Sequence, residues 1–478
     1  MAMPKTGGAA PCPVRRDVQS QNFYLTEMVM LQSITIWHEG EVGFCNHNFE
    51  ETMTSMIIRA AAVSALALAA GTAAAQDTGN VIFFHPDGTG ANHWHAARMH
   101  TVGPDGELNW DRLPALGVYT GHMADRVTGT SHGGATVHAY GVKVIGDSFG
   151  LNGTEEITAA SGEQMSIAEE AMAAGRAVAL VQTGHIAEPG TAAFVASNES
   201  RSNTQEIARS VIESGAQVIL AGGERFLLPE GVEGRHGTGE REDGVDLIAR
   251  AEELGYTVVY TREELLAIDP ASTDMLLGVF AHNHTFNDQE RERNLIEGLP
   301  TYWEDAPTMA EMTEVALAIV SRDEDGFFAV IEEEGTDNIA NNMNAAGTLE
   351  ALARADAAVG AILDFMDGRD DTLLIMAADS DAGGLQVLHQ DAGAVDASTS
   401  GGGILHGVQG AFGDAFETAP DAAGTTHHFG IAWVGYNDVA GGILVRGAGF
   451  GSEFITPLMD STDVYKVMYR VLFGEELG

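Results

Sequence analysis

Cysteine is nearly absent from this 478-residue chain, which has only Cys12 and Cys45. Both fall in a stretch expected to lie outside the mature protein, which excludes a disulfide framework and a thiolate nucleophile. Basic residues are scarce as well: 24 Lys+Arg stand against 69 Asp+Glu, a formal net charge of −45. Capturing nucleic acid through its phosphates needs clustered cations, so no nucleic-acid partner is expected. So acidic a surface repels itself, stays soluble and is screened by salt, as suits a salty medium; the rival reading is capture of cations by carboxylates. A stable membrane anchor is not expected either. The apolar run in "MIIRAAAVSALALAAGTAAAQD", from Met56, is too short and too rich in Ala for a good span.

That run has one positive charge, Arg59, and ends in Ala73, Ala74 and Ala75. It reads as a secretory signal peptide cut before Gln76. A signal works poorly behind a long leader, so we expect translation to start at Met56 or Met53. Residues 1–55 are then an over-extended leader, 56–75 the signal, and 76–478 a single catalytic domain in the periplasm or the medium. An apolar content of 45% allows a sizeable core.

Beyond Asn80, short apolar runs alternate with amphipathic segments. Strands are expected at "NVIFF", "AVALVQT", "AQVILAG", "YTVVYT", "MLLGVF", "GFFAVIEEE", "TLLIMAAD" and "FGIAWVGY". Helices are expected over 166–174, 204–214, 244–254, 309–320, 348–366 and 463–473. Continuous apolar strands separated by helices predict an α/β three-layer sandwich, with a central, mostly parallel sheet covered on both faces. The Gly/Ala/Asp-rich segment 389–424 has no period and reads as an inserted loop or subdomain at the mouth of the sheet.

Ligands of such sheets sit beyond the carboxyl ends of the strands. There the sequence places Asp87 after "NVIFF", Glu332, Glu333, Glu334 and Asp337 after "GFFAVI", Asp379 and Asp381 after "TLLIMAA", and Glu188 in "TGHIAEPG". His427 and His428 precede "FGIAWVG". Any single carboxylate there could be a helix cap. The set would be mutually repulsive without cations between its members, and oxygen ligands with a few histidines suit Mg²⁺, Ca²⁺, Mn²⁺ or Zn²⁺. The remaining histidines read mostly as surface or core residues. His85 and His132 stand apart, each within two residues of a proposed site residue.

In this order, "NVIFFHPDGTG", "PTMAEMTEVALAIVSRDEDGFFAVIEEEGTDN" and "TLLIMAAD" resemble the alkaline phosphatase family, from Asn80 to near the C-terminus. The resemblance implies a divalent-metal-dependent hydrolase of small phosphate monoesters, holding Mg²⁺ and Zn²⁺ and forming a homodimer. It also accounts for "VTGTSHGGATVHAYGVKV", from Val127 to Val144. Counting back from Gly141-Val142-Lys143 places Ser131 at the family's nucleophile, at a helix start where free N–H groups welcome phosphate. Thr130 is the alternative. Arg201 in "FVASNESRSN" matches the phosphate-clamping arginine. Asp87, Glu332, Asp337 and Asp379 match metal ligands, and His428 or His427 the last histidine ligand. Four positions depart from the pattern: Asn341 and Ser380 stand where the family has histidines, Gly190 stands near its magnesium-site threonine, and Thr130 replaces the acidic residue before the nucleophile. The resemblance therefore implies a retuned, oxygen-rich cluster, with Asp381, Glu334 or Glu188 compensating, that favours Mg²⁺ or Ca²⁺ or holds a weaker zinc. The rival readings are a phosphodiesterase or sulfatase-like hydrolase of the same superfamily, and a non-catalytic scaffold that binds phosphate or cations.

Overall fold

The computed structural model describes residues 78–287, 299–391, 404–406 and 415–478. The expected leader and signal peptide lie outside the described residues, as does most of 392–414 within the expected insert.

Fourteen strands follow one another among the described residues: β1 (Asn80–Pro86), β2 (Ala115–Thr120), β3 (Ala177–His185), β4 (Val218–Gly222), β5 (Thr257–Val259), β6 (Leu276–Val279), β7 (Phe327–Glu333), β8 (Thr372–Met376), β9 (Gln386–His389), β10 (Ile404–His406), β11 (Phe416–Glu417), β12 (His428–Trp433), β13 (Ile443–Gly449) and β14 (Leu458–Asp460). The helices that matter below are α1 (Ala91–Thr101), α2 (Ser131–Tyr140), α3 (Met309–Val320), α4 (Gly335–Asn341), α5 (Ala345–Phe365) and α6 (Ser461–Phe473).

Ten strands form the main sheet in the order β14-β2-β13-β8-β1-β7-β3-β4-β6-β5. All neighbours run parallel except β13, which is antiparallel to β2 and β8. Alternation along β1 shows why helices cover both faces. Val81 and Phe83 face one core with Val137 of α2 and Val464 of α6, whereas Ile82 and Phe84 face the other with Met312 of α3 and Leu352 of α5. The three-layer α/β sandwich is thus the observed architecture.

One strand lies elsewhere than expected. The apolar run at Phe429 belongs to β12 of a second, antiparallel sheet, in which β12 pairs with β9, β10 and β11. The described parts of the expected insert supply strands to this small sheet. Strands β2, β13 and β14 at the main sheet's edge were not expected. No helix among the described residues is long and apolar enough to cross a membrane.

Candidate active site

The middle strands deliver chemistry because their ends lie side by side. In β1 the residues Val81, Phe83 and His85 alternate onto the face covered by α2, and Asp87 follows at the turn. His85 pairs in register with Glu332 of β7, and Ala377, just past β8, leads to Asp379. The Thr336 hydroxyl is hydrogen-bonded to the carbonyl oxygens of Asp87 and Glu333, at 2.7 and 2.6 Å, locking the start of α4 to the ends of both strands.

Asp87, Glu332, Glu334, Asp337 and Asp379 are all buried here, with half-buried Asp438 beside them. Both oxygens of Asp87 and of Glu332, and one oxygen each of Glu334 and Asp379, have no hydrogen-bond partner. Burial, reinforced by the neighbouring Asp379, holds the Asp87 carboxyl well above its usual range. Burial likewise pushes Glu332 up to about 7 and raises Glu334 and Asp337 well above normal. Asp438 is raised by burial and by Asp379. Asp379 is the exception: burial opposes its charge, yet the Asp87 carboxyl and the His85 and His138 rings hold it down. Carboxylates without donors, repelling one another out of water, are a donor set for divalent cations. The residues present therefore fit such ions.

Helix α2 meets this cluster end-on. Its N-cap is Thr130, whose hydroxyl oxygen accepts from the Gly133 N–H at 3.2 Å while its proton goes to the Gly146 carbonyl. The Thr130 hydroxyl is thus committed on both sides. Ser131, the first helical residue, is buried. The glycines around it bring the backbone onto Asp379: a Cβ on Gly134 would sit 2.3 Å from the Asp379 Cβ, and one on Gly129 would sit 2.3 Å from its carbonyl oxygen. Thr136 is hydrogen-bonded to the His132 carbonyl at 2.7 Å and accepts from the Gly150 N–H at 2.9 Å, fixing the following loop.

A second assembly adjoins the first. Glu188 is buried, and three side chains converge on its carboxylate: His185 Nε2 and His284 Nε2, each 3.0 Å from Oε1, and the Arg201 guanidinium, 3.0 Å from Oε2. Burial opposes the charge, but these partners hold Glu188 well below the usual carboxylate range. Glu188 thus ties down Arg201, which also lies 3.5 Å from His132 Nδ1. The His132 ring is lowered to about 4, first by burial and then by Arg201. His284 also lines a cleft of about 850 Å³ with Phe280, Phe286 and Trp303.

The structure thus brings together Asp87, Glu332, Glu334, Asp337 and Asp379, with Ser131 and Arg201 at the margin. Ser380 is buried and lies against Asp438. Asn341 donates to both Asp337 oxygens, at 3.2 and 3.1 Å, and to Asp438 at 2.9 Å. It therefore bridges two carboxylates as an amide. Asp381 Oδ1 lies 3.3 Å from His93 Nδ1. Neither His427 nor His428 reaches the cluster, a correction to the sequence reading. His427 pairs with Asp421 at 2.9 Å on the small sheet, and His428 begins β12, whose other end, Trp433, is the one that abuts Gly383 near the cluster. Asp438 was missed in the sequence. It sits in the loop "GYNDVAGG", where no periodicity singles it out, and it joins the site only because that loop returns past Asn341.

Comparison with known proteins gives the family and the fold. The family model for alkaline phosphatase matches residues 78–397. The chain belongs to the alkaline phosphatase family. It is 28% identical over 338 residues to the membrane-bound alkaline phosphatase of Bombyx mori, covering 63% of this chain and 60% of that one. It is also 28% identical over 338 residues to the alkaline phosphatase of Escherichia fergusonii, covering 63% and 69%. The chain thus spans less than two thirds of the silkworm relative's length. Among solved structures, the alkaline phosphatase of Thermus thermophilus superposes with a TM-score of 0.65 at 23% identity, over 84% of this chain and 92% of that one. That of the Antarctic bacterium TAB5 gives 0.64 at 19%, over 84% and 100%. A variant of the TAB5 enzyme holds magnesium in its M3 site. At these identities the structural likeness shows the fold.

Proposed function

We propose that this chain is an exported, divalent-metal-dependent phosphomonoesterase that works in two displacements through Ser131. The observation that carries this reading is one place in the molecule: a buried carboxylate cluster with unpartnered oxygens, met by the start of α2 and faced by a tethered arginine.

Asp87, Glu332, Asp337 and Asp379 would hold the cations, with Glu334 and Asp438 adding oxygens. When bound, divalent cations neutralise this cluster and favour ionised oxygen nucleophiles at neutral to alkaline pH. In the first displacement the Ser131 Oγ attacks phosphorus in line; the Ser131 O–P bond forms as the ester O–P bond breaks, and the alcohol leaves. Free N–H groups at the α2 start and the Arg201 guanidinium receive the other phosphoryl oxygens. Glu188 keeps that guanidinium in place. Water then attacks the phosphoserine, releasing inorganic phosphate and restoring the hydroxyl. Thr130 serves as cap, since its proton goes to the Gly146 carbonyl and its oxygen accepts from the Gly133 N–H.

The test uses protein beginning at Gln76, stripped of metal and reloaded with Mg²⁺, Zn²⁺, Ca²⁺ and Mn²⁺ singly and in pairs. Turnover of p-nitrophenyl phosphate is compared with that of its bis-ester, with Ser131→Ala alongside. Metal-dependent monoester turnover that vanishes in the variant, with a trapped phosphoserine in the parent, is the expected result. Preference for the bis-ester would make the chain a diesterase, and phosphate binding without turnover would make it a scaffold.

A further inference from the structure

We infer that His85 is a nitrogen ligand of this chain's metal centre, sharing a cation with Asp87 and Glu332 and leaving the Asp337–Asn341–Asp438 side all-oxygen. The inference rests on the metal-dependent reading above and goes further, since it gives the two sides of the cluster different metal preferences.

The argument starts from the strand. His85 lies two residues before Asp87 on the same face of β1, and its register partner is Glu332. Its ring is fully buried. Nδ1 lies 2.8 Å from the Ala377 carbonyl oxygen, an acceptor only, so Nδ1 must carry the proton. In the neutral ring Nε2 is then a bare lone pair. It has no hydrogen-bond partner and faces Asp87 Oδ1 at 3.5 Å and Asp379 Oδ1 at 3.9 Å. One donor atom each from His85, Asp87 and Glu332 lie within 4.8 Å of one another. With the ring neutral and the carboxylates ionised, these lone pairs converge with no hydrogen between them, and a cation there relieves their repulsion. An imidazole whose far N–H is fixed by a backbone carbonyl is also the usual posture of a histidine metal ligand.

Two neighbours sharpen the assignment. A Cβ on Gly190 would come 1.7 Å from Glu332 Oε1, so no side chain from that position can complete the site. On the other side, Asn341 donates its amide hydrogens to Asp337 and Asp438, and its own oxygen accepts from the Gly383 N–H at 2.9 Å. Side chains on that side thus offer carboxylate oxygens. A mixed nitrogen–oxygen site favours Zn²⁺, Co²⁺ or Mn²⁺ over Mg²⁺ and Ca²⁺; an all-oxygen site suits the hard ions.

The experiment is electron spin-echo spectroscopy of the metal-stripped chain loaded first with Ca²⁺ to fill the all-oxygen side and then with one equivalent of Mn²⁺, together with Zn²⁺ and Ca²⁺ titrations by calorimetry. The expected results are a directly coordinated ¹⁴N coupling in the parent and its loss in His85→Asn. The asparagine amide takes the place of Nδ1 and can still donate to the Ala377 carbonyl, and circular dichroism verifies its folding. Zn²⁺ affinity at the tighter site should fall at least about 10-fold in the variant, with Ca²⁺ affinity changing less than about 2-fold. Bound Mn²⁺ without ¹⁴N coupling in the parent would overturn the inference while leaving metal dependence intact, a result that does not rely on the variant folding. Coupling that persists in a folded His85→Asn would also overturn it. Failure of the parent to bind any divalent ion would overturn both this inference and the metal-dependent reading.

Discussion

Two buried acidic regions stand side by side in this molecule and have opposite electrostatics. Glu332 and its neighbours share their space with other carboxylates, and burial drives Glu332 up to about 7. Glu188, equally buried, is met by two imidazoles and a guanidinium and is held well below the usual range. Burial alone therefore does not decide the charge of a carboxylate. What decides it is whether the fold supplies the donors or leaves them to come from outside. Glu188 has its donors within the chain, whereas both oxygens of Asp87 and of Glu332 have none among the described residues.

The largest expected effect comes from removing what only the cluster needs. Chelation, or Asp87→Ala, is expected to lower kcat/KM by about 1,000-fold or more. Metal analysis should show the loss, while Glu188 and Arg201 keep their places. Loss of metal without loss of turnover would break the comparison at once.

Next comes the pH dependence of the metal-free protein. Glu332 is raised from 4.5 to about 7 in the folded state. Its contribution is therefore full below its unfolded value and lost as pH rises through 7, on the order of a few kcal/mol. Glu188 is depressed, so its contribution is present above 4.5 and lost as pH falls through its lower folded value. Denaturant melts of the stripped protein should lose stability between about pH 4.5 and pH 7, and divalent ions should restore most at the upper end. A flat profile over that interval would contradict the assignment.

Glu188→Gln tests the other region. Freed from its tether, Arg201 should hold phosphate less well, raising KM by about 10-fold with bound metal unchanged. A fall in metal content instead would make Glu188 a ligand. The smallest effect is expected from Thr130→Ala, which removes a cap worth about 1 kcal/mol and leaves phosphoserine formation in place. Its disappearance in that variant would transfer the nucleophile role to Thr130.

The legible parts of the sequence were those where periodicity and strand order speak. Apolar runs marked β1, β7 and β8, and their polar endings placed Asp87, Glu332 and Asp379 at one edge. The edge strands were harder to see. β2 is six residues with a glycine inside, and β13 ends in "RGAG". β12 looked like another central strand because an apolar run does not say which sheet receives it. Asp438 and the displacement of His427 and His428 depend on how one loop returns, which is long-range information absent from any local pattern. His85 was visible as a neighbour of Asp87, but only the Ala377 carbonyl fixes which of its nitrogens faces the carboxylates.

The glycines set limits on how this centre could be altered. Positions 88, 134 and 190 press backbone against Asp337, Asp379 and Glu332, so that a methyl group would come within 2.4, 2.3 and 1.7 Å of an atom of those side chains. A single added carbon at any of them would tilt a carboxylate without touching a charge. Random libraries aimed at new substrates should therefore be nearly barren at these three positions. Diversity would be better placed at Trp303, Glu304 and Asp305 on the rim of the neighbouring cleft, where side chains are exposed.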